Sequence, residues 1–276
     1  MIRSPIRVST LLAIGFVGTL LWAERRRPLR SPVEPGTRRL IRNGALAGLA
    51  GAVVLLTERP IVDPLARQAL RRRSGLVQRL PLPTAWRDAL AIVLMDYTLY
   101  VWHVLMHRWR PLYRLHQVHH ADLDLDLTTA LRFHVGEMLA SIPWRAAQVA
   151  LLGASPRVLT LWQRLTMASI LFHHSNIRLP LGLERRLGWL IATPRLHGIH
   201  HSVVREEQDS NWSNGLTLWD RLHGTYRAGQ PQRALEIGSA CHRERIEVTF
   251  LKMLRLPGAR PGEAHRLPSG RIVRRC

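Results

Sequence analysis

The distribution of histidine along the chain limits its fold more than any other feature. Eleven of the fourteen histidines lie between His103 and His201. On a helix, residues three and four positions apart project from one face, so each spaced group directs two or three imidazoles toward one point. The helices that carry these groups must therefore pack around a common centre. The groups are HVLMH at 103–107, HQVHH at 116–120, His134, His173-His174 and HGIHH at 197–201.

This histidine pattern predicts a metal site. A single histidine is usually solvated or hydrogen-bonded, but so many imidazoles packed together would repel one another on protonation unless a metal held them. A structural zinc site closes with four ligands, whereas the larger number of imidazoles here suits two ions of higher coordination, with iron, copper, nickel or zinc as candidates. The chain contains no HExxH, GxSxG or ExxH motif. The pattern therefore favours redox chemistry over hydrolysis.

Apolar runs and arginine clusters alternate along the chain. The formal net charge is +21 although 46% of the residues are hydrophobic, so the two kinds of residue must be segregated. The arginine clusters lie beside apolar runs, where anionic lipid headgroups would be. The predicted membrane segments are 8–23, 44–56 and 85–102, followed by a helical hairpin of 138–152 and 158–172 that is split by Gly153-Ala-Ser-Pro156.

Two of these segments have alternative interpretations. Segment 8–23 is slightly short for a span and could be a signal peptide, although no small-x-small cleavage site follows it. Segment 44–56 could be a buried helix of a soluble core, and Gly44, Gly48 and Gly51 would permit close helix packing there. Segment 57–84 is basic and contains several prolines, which predicts an extramembrane loop or a surface-lying segment. Arginines on both sides of the second run leave the topology open.

These patterns together predict an all-α fold, an integral membrane helical bundle with a histidine-rich helical cap that holds a dinuclear metal site. The histidine groups lie at the ends of apolar segments separated by the hairpin, so they should meet on one membrane face. We expect N-terminal membrane helices and a basic loop over 1–84, a catalytic domain over 85–228, and a C-terminal surface tail over 229–276. The tail should contain a short surface helix near 248–254 and a flexible end.

From about Asp96 to Arg227 the chain resembles the fatty acid hydroxylase and sterol desaturase superfamily, in particular its bacterial members and the alkylglycerol monooxygenase branch. The resemblance covers roughly half of the chain, and the order and spacing of its motifs are highly specific. It rests on HVLMH, HQVHH, TTALRFHVGE at 128–137, FHHSN at 172–176, TPRLHGIHH at 193–201, DSNWSN at 209–214 and WDRLHGTY at 219–226.

The resemblance implies a membrane-bound di-iron centre on the cytosolic face of a bacterial inner membrane. It implies dioxygen as oxidant and hydroxylation, desaturation or ether cleavage of a lipid, such as a fatty acyl chain, sterol, ether lipid or carotenoid. The cofactors would be two iron ions, with zinc as a substitute, and no catalytic residues are expected beyond the metal ligands. An external ferredoxin, cytochrome or reductase must supply electrons, because the chain has no dinucleotide fingerprint.

The resemblance also assigns the ligands residue by residue. The ligand boxes correspond to His103, His107, His116, His119, His120, His197, His200 and His201, and His174 corresponds to a single intermediate histidine. His173 and His134 are second-shell candidates or additional ligands. Two positions depart from the family pattern: Ser213 replaces a glycine, and His223 stands where an aromatic residue is common.

Three acidic features belong to the predicted surroundings of the site. Glu137 could orient the His134 ring if both lie on one helix face. Asp220 could accept a hydrogen bond from the far nitrogen of a ligand histidine, with a capping or salt-bridged aspartate as the alternative. The stretch Asp122–Asp126 is expected to be a solvated loop or strand edge, with a contribution to the metal shell as the alternative.

Two functions of other classes compete with the oxygenase. One is a membrane metal-binding protein or zinc-dependent hydrolase without oxygen chemistry. The other is a basic adaptor of nucleic acid or of the membrane surface. Nucleic acid is not among the expected partners, because the two cysteines are too few and wrongly spaced for a zinc finger and no RNA-binding aromatic motif is present.

Overall fold

The computed structural model describes residues 8–244 and 248–259 and two short strands, and its regular structure is almost entirely helical. The strands His265–Arg266 and Ile272–Val273 pair antiparallel. The helices are α1 (Val8–Arg26), α2 (Thr37–Val53), α3 (Arg59–Arg72), α4 (Thr84–Arg108), α5 (Arg110–His120), α6 (Val135–Leu152), α7 (Pro156–His174), α8 (Leu181–Leu187), α9 (Pro194–His200), α10 (Arg205–Gln208), α11 (Leu218–Leu222) and α12 (Phe250–Arg255). The prediction of an all-α fold is confirmed.

Three helical segments are long and apolar enough to cross a membrane. They are Val8–Arg26, Thr37–Arg79 and Thr84–Arg108. Large apolar side chains point outward along the first two, among them Leu12, Ile41 and Leu56. A surface of this kind is suited to hydrocarbon rather than to water. The chain is therefore a membrane protein.

The basic segment after the second apolar run is largely helical, so the extramembrane loop predicted for 57–84 is wrong for most of its length, while the alternative of a surface-lying segment stays a prediction. A π-helical turn, Val54–Glu58, joins α2 directly to α3. Pro60 falls in the first turn of α3, where the missing N–H costs little, and Pro64 lies inside the helix. Val62 and Ala66 are fully buried in the helical core, and this packing overrides the proline signal.

The glycines of α2 do not make the expected close helix contact. A Cβ atom added at Gly44, Gly48 or Gly51 would meet no atom of the described residues within 4 Å. The close approach lies elsewhere, where a Cβ on Gly75 would be 2.4 Å from the Cα of Gly153. Gly153 has φ 78°, a conformation that glycine adopts readily, and it ends α6.

Helices α6 and α7 form the predicted hairpin. Ser155 accepts a hydrogen bond from the backbone N–H of Val158 and so caps α7. The hairpin packs against α3 and α4 through the largest core cluster. Its buried residues include Val62, Ala66, Ala91, Met95, Val149, Val158 and Trp162.

The segment after α1 is joined to the end of α7. Pro28 and Ile177 form an antiparallel bridge, and the N–H of Arg178 donates to the carbonyl of Arg27 at 2.7 Å. The Asn176 side chain bonds both the N–H and the carbonyl of Arg30. These contacts attach the first helix to the end of α7, where His173 and His174 lie.

The C-terminal segment contributes to the interior. The short helix expected near 248–254 is α12, and Val248 and Met253 are fully buried against Leu46 and Val118. This part of the predicted surface tail therefore has one buried face. The predicted flexible end after residue 259 lies almost wholly outside the described residues, and the three-part division of the chain stays a prediction.

Candidate metal centre

Nine buried histidines converge in two adjoining groups. Within each group, one ring nitrogen of every member lies within 4.8 Å of the others. Together the two groups contain all nine residues predicted as ligands. Site 1 consists of His103, His107, His116, His120 and His200, and site 2 of His119, His174, His197 and His201.

Helices α5 and α9 contribute to both sites because of their helical periodicity. In α5, His116 and His120 are four residues apart and face site 1, whereas His119 faces site 2. In the last box, His197 and His201 share site 2 and His200 turns to site 1. The remaining histidines of the two groups come from α4, which carries two for site 1, and from α7, which carries one for site 2.

The site 1 histidines are oriented through their Nδ1 atoms. The Nδ1 of His103 lies 2.7 Å from the carbonyl oxygen of Trp212, and that of His200 lies 2.9 Å from the carbonyl oxygen of Ser210. A carbonyl oxygen only accepts, so each Nδ1 carries the proton and each Nε2 is left with a lone pair. The Nε2 atoms of His116, His120 and His200 are buried and have no hydrogen-bond partner within the described ranges.

Site 2 brings ring nitrogens into direct contact. The Nδ1 of His119 faces the carbonyl oxygen of Arg132 at 3.2 Å, and that of His174 faces the carbonyl oxygen of Ile170 at 2.9 Å. Both Nε2 atoms are therefore acceptors, yet they lie 3.0 Å apart. The Nε2 of His197 lies 3.1 Å from those of His174 and His201. Facing lone pairs repel unless a cation lies between them, so the donor set fits a metal ion.

Burial keeps His120, His200 and His201 in the neutral form that metals bind. It lowers the pKa of His120, His200 and His201 well below the usual range, and neighbouring histidines lower it further. The strongest neighbour is His201 for His120 and His119 for His201. Neutral imidazole is the ligand form for zinc, copper, iron and nickel.

His173 lies beside site 2 without belonging to the group. Its side chain is completely buried, its ring centroid is 4.1 Å from that of His197, and neither ring nitrogen has a hydrogen-bond partner among the residues that the structure describes. A buried imidazole with two unsatisfied nitrogens is costly unless it binds something. An additional ligand role for His173 stays a prediction.

Glu137 supports a different histidine from the one expected. Its Oε1 lies 2.9 Å from Nδ1 of His116 in site 1. His134 is instead the N-cap residue of α6, where its Nδ1 accepts from the N–H of Gly136 at 3.0 Å and its Nε2 faces the carbonyl of Leu254 at 3.1 Å. Both nitrogens of His134 are thus engaged away from the two groups.

Asp220 does not contact the clustered histidines directly, and the expected bond to a histidine is not formed within the described structure. Its carboxylate accepts from the backbone N–H groups of Trp212 and Ser213 at 2.9 and 3.0 Å, and from the Thr225 hydroxyl at 2.7 Å. It therefore fixes the loop whose Trp212 carbonyl orients His103. Burial raises the pKa of Asp220, and these donors oppose that shift.

The acidic stretch after HQVHH is not a solvated loop. Asp122 is 1% exposed and accepts from Arg39 at 2.8 Å and from Asn43 at 2.9 Å. Burial raises the pKa of Asp122, but the guanidinium groups of Arg132 and Arg39 outweigh it and hold that pKa well below its usual range. The carboxylates of this stretch pair with arginines or accept hydrogen bonds from backbone N–H groups. The alternative role as metal ligands is therefore not seen either.

This buried ion network supports site 2, and no sequence pattern announced it. Arg132 donates to the carbonyl of Val118 at 2.8 Å and to Asn43 at 2.7 Å, while its own carbonyl faces His119. Arg39 lies shortly before the second apolar run, a position that its charge alone would place near lipid headgroups. Its pairing depends on how α2 packs beside the end of α5, which sequence spacing does not reveal.

One departure from the family pattern has a structural explanation. The His223 ring stacks on Tyr97 and Tyr100, with centroid distances of 5.8 and 5.1 Å. The imidazole therefore takes the place of a flat aromatic ring in this cluster. It lies outside both histidine groups.

Comparison with known proteins places the histidine groups within a known domain. The fatty acid hydroxylase family matches residues 89–225, which contain all nine clustered histidines. The chain is 33% identical over 181 residues to the ornithine lipid hydroxylase OlsE of Rhizobium tropici, which covers 65% of this chain and 53% of that protein.

Two vertebrate proteins are also similar. The chain is 28% identical over 149 residues to the alkylglycerol monooxygenase of Homo sapiens, covering 54% of this chain and 32% of that protein. It is 30% identical over 147 residues to a cholesterol 25-hydroxylase-like protein of Danio rerio, covering 52% and 57%. The chain thus spans between a third and somewhat more than half of these relatives. No solved structure matches the chain.

Proposed function

Since residues 89–225 are a domain of the fatty acid hydroxylase family, we propose that the chain is a membrane-bound oxygenase that hydroxylates a lipid with two iron ions and dioxygen. The observation that carries the proposal is the pair of buried histidine groups, whose unprotonated nitrogens face two neighbouring points. Imidazole ligands suit iron, and the absence of a nucleophile motif favours oxidation over hydrolysis.

When bound, the two irons would supply the activation of dioxygen that the cleavage of an unactivated C–H bond requires. The chain's own residues hold and orient the ligands. Glu137 fixes the ring of His116 through Nδ1, and the carbonyls of Trp212 and Ser210 fix the rings of His103 and His200. All nine imidazoles are buried, so bulk water is kept from the reaction centre.

The proposed substrate is a membrane lipid. The relatives are named for hydroxylation or monooxygenation of an ornithine lipid, an alkylglycerol and cholesterol, so we favour hydroxylation over desaturation or ether cleavage. Inserting one oxygen atom into a C–H bond and reducing the other to water consumes a pair of electrons and a pair of protons. A separate ferredoxin, cytochrome or reductase would supply the electrons on the cytosolic face of a bacterial inner membrane.

The test is metal content and dithionite-dependent oxygen uptake of the detergent-purified chain. We expect about two irons per chain and oxygen uptake in the wild type, and neither in a His119→Ala, His200→Ala double variant. A His223→Ala variant is the matched control, because that ring lies outside both sites. Incubation with membrane lipid extracts should then yield a product heavier by one oxygen atom. Stoichiometric zinc with no oxygen uptake after iron reconstitution would instead support the metal-binding or hydrolase alternative.

A further inference from the structure

A cleft lies where the first membrane helix meets the segment after α7. Its volume is about 420 Å³. It forms because the bridge between Pro28 and Ile177 holds two segments side by side that are far apart in sequence. The cleft is lined by Arg26, Arg27, Pro28, Arg178, Leu179 and Pro180.

The three guanidinium groups of this cleft have no partner among the residues that the structure describes. None of them forms an ion pair or a hydrogen bond within the described ranges. No carboxylate lines the cleft. By contrast, Arg39 and Arg42 are both engaged by buried carboxylates. Unpaired guanidinium groups around a cavity form a site for an anion, and their fork of N–H donors fits the oxygens of a phosphate.

The cleft lies at the level of the membrane surface. Helix α1 is a candidate span and ends at Arg26, so the cleft begins where the hydrocarbon region would end. On the other side, exposed apolar side chains follow directly, with Leu181 and Leu183 on α8 and Trp189 and Leu190 after it. Arginine beside exposed leucine and tryptophan is the composition of a segment that lies in the headgroup layer.

We propose that this cleft binds the phosphate of a phospholipid headgroup at the membrane surface. The guanidinium groups of Arg27 and Arg178 contact the phosphate, and Leu179 and Pro180 pack against the glycerol end of the lipid chains. This site is separate from the histidine groups, so the proposal does not depend on which metal chemistry those groups carry out. Free phosphate offers the same oxygens but no apolar portion to fill the side formed by Leu179 and Pro180.

The test is equilibrium binding of a fluorescent phosphatidylglycerol to the full chain in mixed non-ionic detergent micelles. Three forms are compared: wild type, an Arg26→Gln, Arg27→Gln, Arg178→Gln variant, and an Arg71→Gln, Arg72→Gln, Arg73→Gln control. The control removes the same charge from exposed arginines at the end of another membrane segment. Because each arginine near an anionic lipid contributes roughly fivefold, we expect the cleft variant to bind about a hundredfold more weakly and the control to bind almost as well as wild type.

Equal weakening in the cleft variant and the control, or no weakening in either, would overturn the site. Displacement of the lipid by inorganic phosphate at comparable concentration would overturn its assignment to a lipid, whereas displacement only by unlabelled phosphatidylglycerol supports it. Single Arg27→Gln and Arg178→Gln variants, each expected to lose about fivefold, keep the test decisive if the triple variant folds poorly. Thermal unfolding and retained metal content serve as the measure of folding.

Discussion

Site 1 and site 2 are both built from histidines, but the surrounding residues support those histidines differently. In site 1 a carboxylate, Glu137, backs one imidazole, and backbone carbonyls orient His103 and His200. In site 2, backbone carbonyls alone orient His119 and His174 within the described structure, and the Nε2 atoms of neighbouring rings lie 3.0 to 3.1 Å apart. A carboxylate behind an imidazole makes it a stronger ligand than a carbonyl does.

The difference indicates unequal affinity of the two sites. Site 1 has five histidines and one carboxylate, whereas site 2 has four histidines and adjoining His173. We therefore expect the ion of site 2 to leave first on treatment with a chelator. Helices α5 and α9 contribute histidines to both sites. The loss of the ion from one site should therefore lower the metal affinity of the other site without emptying it.

The largest effect on activity should come from removing a single histidine, either from site 1 or from site 2. His200→Ala removes a histidine of site 1 and His197→Ala a histidine of site 2. Each should lower the oxygen-dependent activity by more than about a hundredfold, which exceeds the loss expected when a residue that only orients a ligand is replaced. Metal analysis should show the remaining ion retained in each variant. If either substitution empties both sites, the two groups act as a single binding unit and the comparison between them fails.

The next largest effect is expected at the buried carboxylate of Asp122, which pairs with arginines beside site 2. Asp122→Asn leaves Arg39, Arg42 and Arg132 without their shared carboxylate. Breaking a buried ion pair by removing one partner costs about 3–5 kcal/mol, so the free energy of unfolding should fall by that amount. Because the Arg132 carbonyl orients His119, site 2 should also lose its ion before site 1 does.

Thermal unfolding in detergent and metal retention measure both consequences. Asp126→Asn is the matched control, because Asp126 also pairs with Arg39 but its side chain is 28% exposed. The control should lower stability far less, since partly exposed ion pairs contribute little. Equal losses of stability in the two variants would mean that the contribution of Asp122 to the free energy of unfolding does not depend on its burial.

A smaller and more selective effect is expected at Glu137. Glu137→Gln retains the shape of the side chain but removes the negative charge behind His116. Metal affinity of site 1 should fall by about 10- to 100-fold, with site 2 unchanged. Glu207→Gln, on α10, is the control at a carboxylate outside both sites. Unchanged metal affinity of site 1 would mean that the Glu137 carboxylate does not set the order of affinities inferred above.

The histidines and the residues around them differ in how far the sequence predicted their positions. The spacing of the histidine boxes depends on helix periodicity, a local property, so HQVHH and HGIHH predicted which residues converge. The same periodicity separates His119 from His116 and His120, and thereby the two sites. The membrane segments were likewise predicted from local composition, apart from the continuation of the second helix through its prolines.

What surrounds the ligands depends on contacts between distant segments. Glu137 was expected to face His134, three residues away, but α6 begins at Val135, so that His134 caps the helix and Glu137 turns toward α5. Asp122 meets Arg39 only because α2 packs beside the end of α5. Such pairings depend on tertiary structure, and single-sequence spacing contains no record of them.

The smallest effect is expected at His173, and it tests most directly why site 2 should bind metal less tightly than site 1. His173→Phe fills the same buried space but removes both unsatisfied nitrogens beside His197. If His173 adds to the ligands of site 2, the affinity of that site should fall by about tenfold, less than for the loss of a site 2 group member, while site 1 is unaffected. His173→Gln, which restores a polar atom, should recover part of the loss. Full metal retention in the phenylalanine variant would reduce His173 to a packing residue and leave site 2 with four imidazoles, so that its weaker hold on the ion would rest on the missing carboxylate alone.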